Sequence, residues 1–238
     1  MRLAMETATD RASVALGSSG ADAAYRELVG ARRHAGALLP MIGELLREAG
    51  VTLDAVTGLV LSDGPGSFTG LRVGAAVAKA LVQARGLPLW TAPSLLVRAG
   101  GVGRPGQTVL ALADALRGDV YAAVYRFGDR AIEEVLAPSV HRPGDLVAAP
   151  FTPDVLVGQA PGAAAGMLEA WAGTRIVAPP AGAPHARVLL DLVDRPGGAT
   201  RIEAVEGWEP CYGRPAEAQA RWETAHGRPL PDSIGSPR

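Results

Sequence analysis

Apolar and polar positions along the chain change period several times, and each change marks an expected element. "RLAMETA" and "ASVALGS" read as two short strands joined by a polar turn at Thr9-Asp10, with a third strand expected over 23–29. "HAGALLPMIGELLREAG" then carries apolar residues at 38, 39, 42, 45, 46 and 49. That spacing predicts a helix with one buried face, stopped near Gly50 and bent by Pro40. "AVTGLVLSDG" has strand length and leads into a glycine-rich loop; "LRVGAAVAKALVQARG" predicts a second helix, ended by Gly86. Small residues along that helix let another backbone come close, either the chain's own sheet or a partner.

Residues 102–107, "VGRPGQ", read as a connection between two units. Beyond it "TVLALADA", "DVYAAVYRFG" and "AIEEVLAPSV" predict three strands. "PDVLVGQ" and "TRIVAPP" predict two more, alternating with helices over 162–172 and 183–194. Each half thus runs strands first, then alternating helices and strands, which predicts two related α/β lobes with mixed sheets. The expected boundaries are 1–103 for the first lobe and 104–226 for a smaller second one, its end free to pack back on the first. A flexible tail is expected over 227–238.

Composition narrows the function. The 238 residues carry 23 basic and 24 acidic side chains, a balance unlike the basic excess of a free-standing nucleic-acid binder. One cysteine, Cys211, excludes an internal disulfide framework and suits a reducing compartment, here the cytoplasm. No run of 18 apolar residues occurs, so no membrane span or membrane partner is expected.

The loop "SDGPGSFTGLRVG", 62–74, has the composition of a phosphate cradle. It lacks the lysine of the Walker pattern, since Leu71-Arg72 follow Gly70, and it lacks the third glycine of the dinucleotide fingerprint. Two readings remain, an anion site at a helix N-terminus or a structural turn, and Phe68 at the tip favours the turn. The four histidines, His34, His141, His185 and His226, form no pair at helical spacing, so no sequence-local metal site is expected. No Gly-x-Ser-x-Gly elbow is present, and Cys211 has no adjacent histidine, which leaves it buried or incidental. Glu6, Asp10, Asp63, Asp114 and Asp119 fall near strand ends, where catalysis or turn formation would use them.

"RLAMETATDRASVAL", "HAGALLPMI", "GPGSFTGLRVG", "DALRGDVYAAVY" and "EPCYGRP" follow one another as in the TsaB (YeaZ) family, which this chain resembles densely over 1–126 and again around Tyr212. The resemblance implies a two-lobed fold of the actin, Hsp70 and sugar-kinase kind, degenerate and shortened. It implies a role in the N6-threonylcarbamoylation of adenosine 37 in tRNAs that read codons beginning with A. The partners implied are a TsaD-like catalytic subunit and a TsaE-like ATPase, with tRNA reached through the complex and a homodimer formed when the chain is alone. ATP and metal would belong to those partners, and this chain would require no cofactor. TsaD-like chains place a metal-binding histidine pair where this chain has "TAPSLLVRAGG", which contains no histidine. The family's Asp-Thr-Ser after the first strand is Glu6-Thr7-Ala8 here, which pushes the carboxylate outward by one methylene. Glu6, Thr7, Asp63, Gly64 and Asp114 are then the remains of a cleft, the site of the alternative reading as an ATP-using transferase or sugar-kinase-like enzyme. The partner interface implied by the two helices comprises His34, Leu38, Leu39, Ile42, Phe68, Leu71, Arg72, Val73, Val77 and Ala80.

Overall fold

A computed structural model gives the fold and describes residues 1–30, 34–115 and 118–213; the expected tail, 227–238, and the end of the expected second lobe lie outside the described residues. The chain begins with β1 (Arg2–Glu6), β2 (Arg11–Gly17) and β3 (Ala24–Val29), an antiparallel meander. Helix α1 (His34–Glu48), β4 (Gly58–Ser62), α2 (Phe68–Arg85), β5 (Leu89–Ala92) and α3 (Ser94–Gly100) complete the first half. The second half repeats the plan. It runs β6 (Thr108–Asp114), β7 (Val120–Phe127), β8 (Ile132–His141), α4 (Pro143–Val147), β9 (Val155–Gly158), α5 (Gly162–Ala172), β10 (Ile176–Val177) and α6 (Ala186–Leu192). A last strand, β11 (Thr200–Ile202), returns to pair antiparallel with β5.

The first sheet has the order β11-β5-β4-β1-β2-β3 and the second β10-β9-β6-β7-β8. In both, the first strand of the meander pairs antiparallel on one side and parallel on the other: Ala4 faces Ala15 and Val60, and Ala111 faces Ala123 and Val157. Strands buried on both faces need apolar cover above and below. Helices α3 and α6 supply it between the two sheets, where Leu95, Val97, Leu189 and Leu190 join Ala4, Val60, Ala111 and Tyr125 in one core. Outside the first sheet, Leu38, Ile42 and Leu45 of α1 meet Leu3, Met5 and Leu61. Outside the second, α4 and α5 place Leu146, Ala164 and Leu168 against Leu110, Leu112 and Leu156.

The layers explain where local reading stopped short. Helix α3 is buried from Ser94 to Ala99, so it shows no polar face and no helical period. Helix α2 begins three residues earlier than its apolar pattern, because Ser67 caps it by accepting from the Gly70 N–H at 3.3 Å. Gly86 ends it in the left-handed conformation at φ 63°. Strand β11 has only three residues, none fully buried, and pairs across the sheet with a strand more than 100 positions away. No helix among the described residues is long and apolar enough to cross a membrane.

Candidate functional site

The glycines of the 62–74 stretch are explained by what lies against them. A Cβ on Gly70 would sit 2.0 Å from the Thr7 carbonyl oxygen, one on Gly66 2.3 Å from that of Ala8, and one on Gly74 2.5 Å from Thr7 Oγ1. Real Cβ contacts do not come so close, so only glycine lets the first turns of α2 seat on the turn that follows β1. The Ser67 N–H donates to the Ala8 carbonyl at 2.7 Å, and the Gly70 N–H is engaged by Ser67. Two of the turn's backbone donors, those of Ser67 and Gly70, are thus in use within the chain, and the glycines serve its packing.

Glu6 lies at the end of β1 with no exposed surface. Its Oε1 accepts from the Ala8 N–H at 2.6 Å, so the residue caps its own turn with a built-in carboxylate. Oε2, Thr7 Oγ1 and Ser62 Oγ are buried and make no hydrogen bond of normal geometry with the described residues, though the Ser62 hydroxyl lies near enough to favour the charged Glu6 carboxylate. Burial pushes the Glu6 carboxyl up to about 7; the nearby Ser62 hydroxyl, the Ala8 N–H and the charge of Arg98 oppose that rise. Asp63 follows β4, and burial pushes it up to about 6 against the help of the Thr91 hydroxyl. Gly64, at φ 106°, passes so close to the Cys211 carbonyl that a Cβ would lie 2.0 Å from it. Asp114 is exposed at the end of β6 on the second sheet.

Of the cleft candidates, Glu6, Thr7, Asp63 and Gly64 come from the ends of β1 and β4 in the first sheet, and Asp114 comes from the end of β6 in the second. A metal ion and its phosphates would need converging oxygen donors. No group of three or more His, Cys, Asp or Glu side chains that could hold a metal occurs among the described residues. Glu6 spends Oε1 on its own backbone, which leaves Oε2 as the carboxylate oxygen available to any ligand.

A strap, residues 203–213, crosses from β11 over α2 to the glycine turn. The Cys211 N–H donates to the Asp63 carbonyl at 2.7 Å, and Lys79 pairs with Glu209 at 3.2 Å. Tyr212, 6% exposed, packs on Ala8, Leu71 and Phe68, its ring 4.8 Å from that of Phe68. The Arg72 guanidinium lies 4.2 Å from the centre of the Phe68 ring. The sequence left the end of the second lobe free to pack back on the first, and the strap does so; its seat on the glycine turn through Tyr212 was not foreseen. Cys211 is exposed, which removes the buried reading of that thiol.

The two helices divide the expected interface residues. Leu38 and Ile42 are 1% and 4% exposed, and with Leu45 they face the first sheet. Leu71 is 1% exposed beneath the strap. These three belong to the chain's own core and cannot meet a partner in this conformation, a correction to the expectation. The reason is geometric: positions 38, 42 and 45 share one helix face, and position 39 points about 100° away from 38. Leu39 is 58% exposed, alongside exposed Gly36, Pro40 and Gly43. On α2, Arg72, Ala76 and Ala80 are exposed, and Phe68, Val73 and Val77 are half-buried. The side chain of His34 lies outside the described residues, as does the structure of Arg214, the arginine of the closing Tyr-x-Arg element.

Two mixed sheets on one repeated plan, with a helix pair between them, place the chain in the two-lobed class of actin, Hsp70 and the sugar kinases. A sequence-family model described as "TsaD: tRNA N6-adenosine threonylcarbamoyltransferase" matches residues 28–177. The chain is 38% identical over 146 residues to the Escherichia coli tRNA threonylcarbamoyladenosine biosynthesis protein TsaB, covering 58% of this chain and 63% of that one. It is 38% identical over 121 residues to the Haemophilus influenzae protein of the same name, covering 50% and 51%. The match therefore spans less than two thirds of either relative's length. Among solved structures, a Pseudomonas aeruginosa protein described as similar to peptidase YeaZ superimposes with a TM-score of 0.71 at 31% identity, covering 90% of this chain and 100% of that one. YeaZ from the same organism gives 0.66 at 33% identity, covering 81% and 90%. The chain belongs to the TsaB (YeaZ) family, within the wider family that the TsaD description covers.

Proposed function

We propose that this chain is a non-catalytic subunit that docks on a TsaD-like transferase and supports threonylcarbamoylation of adenosine 37 in tRNAs reading codons that begin with A. The names of its relatives supply the pathway. The observation that carries the docking role is the outer face of α1. An added Cβ at Gly36 or Gly43 would meet nothing within 4 Å among the described residues, so no contact with them calls for either glycine. A glycine inside a helix costs about 1 kcal/mol relative to alanine. Two of them seven residues apart, flanking Leu39 and Pro40, suit the close approach of another helix. Covering Leu39 would contribute about 2 kcal/mol of hydrophobic free energy to such a contact.

Arg72, Ala76 and Ala80 extend the face onto α2, and a second copy of this chain could use the same surface when the partner is absent. Activation is then positional: docking favours the competent form of the partner's cleft. ATP, metal and the TsaE-like ATPase act on the partner's side, this chain requires no cofactor, tRNA is reached through the complex, and the assembly works in the cytoplasm. The enzymatic alternative has less support, because the Glu6 carboxylate occupies the Ala8 N–H that an anion would need. The test is the transfer rate of the cognate TsaD-like subunit with and without this chain. A large stimulation is expected, and equal rates would overturn the proposal.

A further inference from the structure

The β1–β2 turn also borders a cavity unrelated to the docking face. It has a volume of about 150 Å³ and lies between the lobes, lined by Thr9, Asp10 and Arg11 on one side and Gln159, Pro179, Pro180 and Ala183 on the other. Arg98 of α3 completes the lining. At about 30 Å³ per water the cavity holds roughly five water volumes, room for a phosphate or a short amino acid and too little for a nucleotide.

Arg98 is the unusual member. It is 5% exposed, in a helix that is buried between the two sheets. Its described hydrogen bond runs from Nη1 to the Gly182 carbonyl at 2.9 Å. None of the ion pairs among the described residues includes it. A guanidinium has five N–H donors in a fork that matches an oxyanion, and a buried charge without a close counter-ion is costly to keep. Glu6 and Asp10 both act on it electrostatically. Glu6, pushed up to about 7, is neutral part of the time near neutral pH and compensates incompletely. Arg11, the other cation of the lining, is already paired with Glu27 at 2.7 Å.

We infer that this interlobe cavity binds a small oxyanion, a phosphate or the carboxylate of a short amino acid, with the Arg98 guanidinium as its principal ligand and the Gln159 amide as a second donor. The bound ion would tie α3 to the 179–183 turn across the lobe junction and so restrain the angle between the lobes. Asp10 at the lining distinguishes the two sources. It repels a phosphate and attracts the ammonium group of an amino acid.

Isothermal titration calorimetry of the full chain in Tris chloride, with inorganic phosphate and with glycine as titrants, tests the assignment. At least one titrant should saturate with a dissociation constant near 1 mM or tighter, and Arg98→Met should weaken it by about tenfold or more. Without titrant, Arg98→Met should leave the midpoint of thermal unfolding unchanged or raise it, since an apolar side chain replaces an uncompensated charge. Asp10→Asn should tighten phosphate or weaken glycine, which names the source. Absence of saturable binding by either titrant, or unchanged binding by Arg98→Met, overturns the inference. Should Arg98→Met fail to fold, the Arg98 Nε–H NMR resonance of the unaltered chain decides: movement on titration supports the site, and a stationary signal overturns it.

Discussion

The two outer helices of the first lobe both carry glycines, and the glycines mean opposite things. In α2, Gly70 and Gly74 press on Thr7, where a Cβ would stand 2.0 and 2.5 Å from oxygen atoms. In α1, Gly36 and Gly43 face outward, where a Cβ would meet nothing. The first pair is explained by packing within the chain, and the second pair by no contact among the described residues. The glycine-rich sequence that looks like a ligand site serves packing here, whereas the plain helical glycines of α1 lie on a face that no described residue covers, the face proposed for docking.

Substitutions can break that contrast. Gly70→Ala has the largest expected effect, because the obstructing atom is a backbone carbonyl that cannot swing away. A loss of about 3 kcal/mol or more in denaturant unfolding is expected. Near-neutral behaviour would show that α2 sits loosely on the β1–β2 turn. Neighbouring leucines of α1 offer the next comparison. Leu38→Ala should cost about 3 kcal/mol, and Leu39→Ala should stay within about 0.5 kcal/mol while weakening association with the TsaD-like subunit. Equal stabilities for the two variants would show that α1 is rotated about its axis, so that both leucines share the contact with the sheet.

The buried carboxylate makes a pH-dependent claim of comparable size. Its folded-state value is raised from 4.5 to about 7, so the folded chain binds the proton more tightly than the unfolded one. The Glu6 contribution to stability is therefore best below about pH 4.5 and declines as pH rises through 7, by roughly 3 kcal/mol in all. Asp63, raised from 3.8 to about 6, acts in the same sense. Unfolding midpoints measured across pH 4 to 8 should show the decline, and Glu6→Gln should remove about half of it, the rest belonging to Asp63. An unaltered slope in that variant would exclude Glu6 as the source. The smallest effect belongs to Gly43→Ala, which should stabilise the isolated chain by about 0.5–1 kcal/mol through helix propensity alone. A loss of stability would reveal an internal contact at that position.

Much of this arrangement was legible from periodicity. The meander strands, the long helices α1 and α2 and the doubled α/β plan all follow from changes between strand and helix periods. Buried elements were harder to read. Every residue of α3 from 94 to 99 is covered, so the polar face that reveals a surface helix is missing. Short β11 depends on a partner strand more than 100 residues away, a contact that local pattern cannot encode. At the candidate site the sequence could not settle the helix faces: adjacent Leu38 and Leu39 are equally apolar, and only the sheet decides which is covered. The Glu6 substitution was visible as a longer carboxylate; that it folds back on the Ala8 N–H was not.

The docking claim is tested most directly by size-exclusion chromatography of the Gly43→Arg chain mixed with its cognate TsaD-like subunit. A side chain at that position meets no atom of the described residues within 4 Å of the added Cβ. The isolated protein should therefore remain folded, with an unchanged circular-dichroism spectrum and unfolding midpoint. The account predicts that the complex formed by the unaltered chain is lost. Co-elution of the folded variant, undiminished, would contradict it.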